Sequence, residues 1–323
     1  MKVFISGGTG FIGSNVVRRF LEGNAEIHIL ARKSSNLWRI QDIEDQINLH
    51  YGDLSSSPVL ERIISTIGPD VVINCSGIVK GFSLSDQDLV IQSNLVNTVN
   101  LVNASIKSKV DTLIHTGSAY ECGFSQHPIT NMNCEGSPIG LYGVIKRAES
   151  EYIKLVSKSY SKKYINFRLF TPYGFFDSPF RLIPYVIISL IFGKVPDINN
   201  PNAGRSFVFI RDVANIYYAT AKNSERLNGI SSVNLGTQDL VKVSELTSLL
   251  YQFFGLDYTS GGRNGDACNE YLYPDSKEVT DLLSSLSIKL TPLQDGLART
   301  VKWFRDNMHF YDKKLLTEKG RPN

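Results

Sequence analysis

Lys2-Val-Phe-Ile-Ser6 runs directly into Gly7-Gly8-Thr9-Gly10-Phe11-Ile12-Gly13, and an amphipathic stretch follows to residue 22. The first five residues are rich in β-branched and aromatic types and predict a strand; the stretch after Gly10 predicts a helix. Gly8, Gly10 and Gly13 satisfy G-x-G-x-x-G, and Gly7, Gly10 and Gly13 give G-x-x-G-x-x-G. Such glycines permit a tight turn and let backbone approach a pyrophosphate, which then sits on the helix N-terminus. Any strand-to-helix turn accepts glycines. Here, however, the motif stands at the first βα junction, the context that dinucleotide recognition requires.

About 20 residues on, the end of the second strand should carry an acid for the ribose 2′-hydroxyl. The chain reads Ile29-Leu30-Ala31-Arg32-Lys33 instead. Two cations at that point suit a 2′-phosphate, so NADP(H) is expected over NAD(H), unless an acid from elsewhere serves the ribose.

The alternation continues outward. Strands are expected at 2–6, 25–30, 47–51, 70–75, 112–116 and 164–170, with helices near 11–22, 58–67, 88–108 and 141–158, the pattern of parallel βαβ units. After residue 170 the pattern loosens: 171–184 and 195–204 are rich in Pro, Gly or Asn and are expected to be loops. A helix at 212–222, a strand at 231–235 and helices near 243–254 and 293–307 follow, with a loop-rich stretch before the last. At 323 residues the length allows two domains, at a prior of roughly one per 150.

Tyr142-Gly-Val-Ile-Lys146 places a phenol and an ammonium on one helix face at (i, i+4). Chance alone yields about one such pair in a chain this rich in Tyr and Lys, and Tyr273/Lys277 is a second, interrupted by Pro274 in a loop-like stretch. Ser118 sets Tyr142 apart. It lies just beyond the strand expected at 112–116, where a parallel sheet lines its ligand crevice. A nearby ammonium stabilises phenolate and moves the phenol toward working pH. Tyr142 could then exchange a proton with a sugar or alcohol oxygen held by Ser118 while a hydride moves to or from nicotinamide.

Composition excludes several other classes. Apolar residues make up 42% and charged residues 20%, and the net charge is only +3, too weak for a nucleic-acid binder. Four cysteines (Cys75, Cys122, Cys134, Cys268) form no C-x-x-C pair and five histidines no H-E-x-x-H, so neither a metal site nor a disulfide is expected. The N-terminus lacks a secretory pattern, and the apolar run 182–192 is half a bilayer span. A reduced, cytoplasmic protein with no membrane contact is the expectation.

At Gly7–Gly13, Gly52-Asp53-Leu54, Thr116-Gly117-Ser118, Tyr142/Lys146, 205–212 and 273–277 the chain resembles the extended short-chain dehydrogenase/reductase family, in its nucleotide-sugar epimerase, dehydratase and reductase branch. The resemblance covers nearly the whole length. It implies an α/β fold: a Rossmann-type doubly wound parallel sheet (1–170 plus about 211–237) with a smaller C-terminal substrate-binding region (171–210 and 238–323). It also implies a homodimer formed through helices 88–108 and 141–158. Cofactor contacts fall to Gly7, Gly10, Phe11, Ile12, Gly13, Asp53 (adenine), Leu54, Tyr142 and Lys146 (nicotinamide ribose), and catalysis to Ser118, Tyr142 and Lys146. Arg205 and Arg263 match arginines that clamp a substrate diphosphate, a fit for guanidinium forks. Asp212 is expected to cap the helix after it.

Departures narrow the reaction. The 4,6-dehydratases need an acidic pair directly after the catalytic hydroxyl residue; Ala119 and Tyr120 stand there, with Glu121 displaced by one. GDP-fucose synthases carry a catalytic Cys where Tyr120 stands, and Thr171 replaces a common substrate-binding Asn. With these disfavoured, the missing ribose acid and Arg32 lead to the expectation of NADPH-dependent reduction of a nucleoside-diphosphate 4-keto-6-deoxyhexose at C4, in deoxysugar synthesis for surface glycans. The alternatives are an NAD-dependent nucleotide-sugar 4-epimerase and, outside enzymes, a cofactor-sensing or scaffold protein on the same fold.

Overall fold

The computed structural model describes residues 1–79, 84–131, 134, 136–227, 232–258 and 270–311. Seven parallel strands form the central sheet: β1 (Lys2–Ser6), β2 (Glu26–Ala31), β3 (Asn48–Tyr51), β4 (Val71–Asn74), β5 (Thr112–Ser118), β6 (Lys163–Leu169) and, later in the chain, β10 (Ser232–Leu235). Their order is β10-β6-β5-β4-β1-β2-β3. The order reverses between β1 and β4, and a doubly wound sheet binds its ligand at that switch point, outside the strands' carboxyl ends.

Alternating residues of each strand feed two apolar layers. Val3, Ile5, Ile73, Ile114 and Ile165 pack with Val16, Val17 and Phe20 of α1 (Phe11–Glu22) and with Val213, Ile216 and Tyr217 of the helix Ile210–Lys222. Phe4, Val72, Leu113 and Tyr164 face the other way, against α2 (Ser57–Ile67), α4 (Asn97–Lys107) and α5 (Gly140–Ser159). Each fully buried aliphatic side chain here contributes roughly 1.5–3 kcal/mol, which makes the sheet a stiff platform for the crevice.

The helix expected at 88–108 is interrupted. α3 (Leu84–Ile91) passes through a π-helical turn at Gln92–Val96 before α4 begins. Such turns often mark functional sites. This one buries Asn94, whose amide donates to Ile78 O (3.0 Å) and accepts from Ile78 N (3.0 Å), fastening the loop after β4.

Beyond β6 lie β7 (Thr171–Tyr173), α6 (Leu182–Ile191), β8 (Gly204–Arg205), β9 (Phe207–Phe209), α7 (Ile210–Lys222), β11 (Val241–Lys242), α8 (Val243–Gln252), β12 (Tyr271–Leu272), α9 (Ser276–Ser285) and α10 (Leu293–Asp306). Two expectations of loop are corrected here. Pro184 falls in the first turn of α6, where its missing N–H is no loss, and the run 182–192 is a buried helix. The stretch after residue 270 likewise contains α9, which Asp275 caps through Lys277 N and Glu278 N. Lys277 is therefore helical while Tyr273 is not. No helix among the described residues is long and apolar enough to cross a membrane.

Candidate active site

Gly7 leaves β1 at φ +72°, and a Cβ there would lie 2.5 Å from the Cys75 backbone behind β4. A Cβ on Gly13 would strike Gly7 O. Gly10 caps α1 without any side-chain bond, so the first-turn N–H groups remain as donors for an anion. Phe11 and Ile12 open the helix. A cleft of about 220 Å³ starts at this turn and is lined further by Leu30 and Ala31 at the end of β2, Arg32 behind it, Gly52, Asp53 and Leu54 behind β3, and Cys75–Ile78 behind β4. A nicotinamide dinucleotide fits this cradle: side chains are absent where a pyrophosphate must approach backbone.

At the ribose end, Arg32 lines the cleft and Lys33 is exposed. Asp53 lines the same cleft. Its carboxylate accepts from Ser55 N at 2.8 Å, which holds it below the usual carboxylate range, and the Arg32 charge adds to that. An acid thus lines the same cleft as Arg32, supplied from behind β3 rather than β2.

The chemical end is built by β5 and α5. β5 runs to Ser118, which closes the strand and caps the short 3-10 turn Ala119–Glu121. Ser118 Oγ accepts from Tyr120 N (3.2 Å) and lies close to the phenol of Tyr142, on the first turn of α5. One turn further, the buried Lys146 has its Nζ 5.9 Å from the Tyr142 ring centre and donates to Thr116 O at 3.1 Å. The three residues do converge at the carboxyl edge of the sheet.

The expected lowering of the phenol is corrected. Burial pushes Tyr142 up, Lys146 opposes this, and the carboxylates of Glu149 and Glu121 push it up again; the net direction is upward. Glu149, one turn past Lys146 with no solvent exposure, sits 2.8 Å from Nζ and 3.1 Å from His115 Nε2. Burial disfavours the Lys146 charge, but Glu149, the Tyr142 phenol and Glu121 together more than offset this and the ammonium is held above its ordinary value.

Glu121 is held by three neighbours. Its carboxylate accepts from Ser118 N (2.9 Å), Arg168 Nε (3.1 Å) and the Asn166 amide (3.4 Å), and the residue is buried. It braces the strand end on which Ser118 sits.

Cys122 and Cys134 form a disulfide, Cα–Cα 4.4 Å, which corrects the expectation of free thiols. Twelve residues separate them in the chain, so no short motif announces the pair. They meet because the loop leading to α5 folds back on the turn after Ser118, where Ile139 N donates to Tyr120 O (3.0 Å) and Arg147 donates to Cys134 O (2.6 Å). The cysteine count therefore no longer bears on compartment. No metal-binding cluster occurs among the described residues.

The other sites predicted for substrate spread more widely. Thr171 begins β7 and bonds Ser206 O through its N–H. The Arg205 guanidinium lies 5.1 Å from the Phe124 ring, beyond the turn that follows Ser118, and pairs with Glu270 (3.3 Å). Arg263 lies outside the described residues. Asp212 is not a cap: it sits inside the first turn of α7, after Phe209, and accepts from Thr291 N (2.8 Å) and Oγ1 (2.9 Å).

A glycine cradle at the switch point, with Ser118 and the Tyr142/Lys146 helix at the same carboxyl edge of the sheet, is the arrangement of a short-chain dehydrogenase/reductase. More narrowly, the chain belongs to the NAD dependent epimerase/dehydratase family, whose model matches residues 3–236. It is similar to a putative UDP-glucose 4-epimerase of Methanocaldococcus jannaschii, 26% identical over 94% of this chain and 99% of that protein. It is also similar to UDP-glucose 4-epimerase 2 of Arabidopsis thaliana, 27% identical over 86% and 88%. Among solved structures, the UDP-glucose 4-epimerase of Thermotoga maritima with UDP-glucose superimposes at a TM-score of 0.82, covering 95% of this chain and 100% of that one at 22% identity. The dTDP-glucose 4,6-dehydratase DesIV of Streptomyces venezuelae, with NAD and TYD bound, gives 0.84, covering 97% and 99% at 20% identity. At these identities the structural likenesses speak for the fold.

Proposed function

We propose that the protein is an NAD-dependent nucleotide-sugar 4-epimerase. The observation that carries this reading is the convergence of Ser118, Tyr142 and Lys146 at the carboxyl edge of the sheet, in a chain that matches a putative UDP-glucose 4-epimerase over 99% of that protein's length. When bound, the nicotinamide supplies a reversible hydride acceptor. Ser118 holds the C4 oxygen, Tyr142 takes its proton and later returns it, and Lys146 keeps the phenolate within reach. Burial of Glu121 supports epimerisation over dehydration, since its carboxylate is committed to Arg168 and Asn166. Asp53 in the cleft, offsetting Arg32, supports NAD.

Residues 1–170 with 211–237 are assigned to the cofactor, and 171–210 with 238–323 to the substrate. Arg205, Thr171 and Arg263 are assigned to the nucleotide diphosphate side. Val144 and Leu155, 52% and 61% exposed on α5, support a homodimer through α4 and α5.

The NADPH-dependent 4-keto-6-deoxyhexose reductase remains the second reading, because Arg32 also lines the cleft and would suit a 2′-phosphate. The test is incubation with UDP-, dTDP-, GDP- and CDP-hexoses without added reductant. A C4 epimer seen by NMR, and lost in Tyr142→Phe, supports the epimerase. Stoichiometric oxidation of added NADPH by a 4-keto sugar nucleotide supports the reductase. Failure of both would leave the non-enzymatic reading.

A further inference from the structure

Five buried polar side chains line up behind the catalytic lysine, and the chemistry assigned above uses none of them. Ser6, the last residue of β1, donates to Asn74 Oδ1 at 2.7 Å. The Asn74 amide reaches Thr98 Oγ1 on α4 (3.1 Å) and His115 Nδ1 on β5 (3.1 Å). Thr98 Oγ1 donates to Glu149 Oε1 (3.0 Å), and His115 Nε2 lies 3.1 Å from Glu149 Oε2. An amide N–H facing Nδ1 assigns the ring proton to Nε2, so a neutral imidazole donates to Glu149. Burial, with Lys146 adding, pushes His115 down and keeps it neutral.

From this geometry we propose that Glu149, clamped by His115 and Thr98, is a positioning residue that anchors the Lys146 ammonium beneath Tyr142 and offsets the charge through which that lysine acts on the phenol. An ammonium has three donors. Thr116 O takes one and Glu149 Oε2 a second. The third opens toward Gly77, which lines the cofactor cleft and whose Cβ, were there one, would lie 3.7 Å from Nζ. Glu149 therefore leaves the lysine one donor for the crevice and fixes its direction. The assignment rests on Tyr142 as the proton-exchanging group.

Among the described residues, the charged and titratable groups around that phenol include Tyr120 of the turn after β5, whose ring lies 6.3 Å away in an edge contact. Lys146 and Glu149 come from α5, Glu121 from the turn after β5 with Arg168 of β6 as its partner, and His115 from β5. Cys75, behind β4, faces Lys146 with its thiol pushed up to about 12 by burial, so it carries no charge. Glu149 is the carboxylate in direct contact with the lysine.

The test reads the Tyr142 phenolate by its ultraviolet absorbance, as the difference between each protein and the same protein carrying Tyr142→Phe. It needs no substrate, so its outcome is separate from whether any sugar nucleotide turns over. Glu149→Gln keeps the shape and removes the charge: its amide oxygen can still accept from His115 and Lys146, while its amide nitrogen meets Thr98 Oγ1 as a donor instead of accepting from it. Its Tyr142 midpoint is expected about one pH unit lower than in the unsubstituted protein. The double variant Lys146→Met/Glu149→Gln, which leaves neither charge buried, is expected to titrate below Lys146→Met alone. Where the reaction is measurable, the acid limb of kcat should move with the midpoint. A folded Glu149→Gln protein with an unchanged midpoint overturns the proposal. So does a double variant that titrates with Lys146→Met.

Discussion

The two ends of the crevice are built in opposite ways. At the chemical end, Ser118, Lys146, Glu149, His115 and Glu121 are all buried and bonded, and the strand end, the turn and α5 are stitched together by the Cys122–Cys134 bridge. At the ribose end, Arg32 and Lys33 are exposed and Asp53 is held locally by Ser55. Proton transfer needs side chains fixed to a fraction of an ångström, which dense packing and satisfied buried bonds provide. Choice between two cofactors needs only a favourable or unfavourable local charge, which surface side chains can supply and water can screen. Substitutions at the first end should therefore be severe and those at the second graded.

The largest effect is expected from Tyr142→Phe, which removes the proton carrier while the ring still packs. Turnover should fall by roughly 10²–10⁴-fold with little change in cofactor affinity, measured by initial rates and by cofactor titration. A variant with ordinary turnover would remove Tyr142 from the chemistry.

Glu121→Gln comes next and separates bracing from catalysis. It strips the counter-charge from the buried Arg168, so unfolding stability should drop by about 3–5 kcal/mol. The folded fraction should keep turnover within roughly tenfold, well short of the loss expected from removing a proton carrier. A thousandfold loss of kcat at unchanged stability would make Glu121 a participant. Cys122→Ser opens a loop closed over twelve residues and should cost about 3 kcal/mol in denaturant titration. An equal response to added dithiol reductant in the unsubstituted protein would confirm that the bridge is the cause.

Arg32→Ala should have the smallest effect, leaving turnover intact. Affinity for NADPH should weaken by about tenfold, the equivalent of one charge-assisted contact, while NAD affinity stays level. Calorimetric titration with both cofactors checks this; a shift larger than that of Tyr142→Phe on rate would invert the comparison.

What the chain discloses in linear order follows the same division. The glycine turn and the Tyr142/Lys146 pair are legible because their chemistry depends on spacing within one element, and the strands because their two faces are filled by alternating residues. Ser118 is readable only through its place at a strand end. Glu149 and His115 carry no such signal: they lie on different elements and become partners only when α5 packs on β5. The same holds for Cys122 and Cys134, brought together by a returning loop, and for Asp53, which shares a cleft with Arg32 because β3 lies beside β2. Pro184 misled in the other direction, since proline breaks a helix interior but not a first turn. Asp212 looked like a cap from its position and serves instead as a tie to Thr291 across the C-terminal region.

The central claim is that hydride leaves and returns to the same carbon, and a sugar nucleotide carrying deuterium at C4 tests it most directly. After incubation without added cofactor, the epimerase reading predicts the C4 epimer with deuterium still on C4. A C4 epimer that has lost the label, or NADPH consumed mole for mole with a 4-keto sugar nucleotide and no epimer, would contradict it.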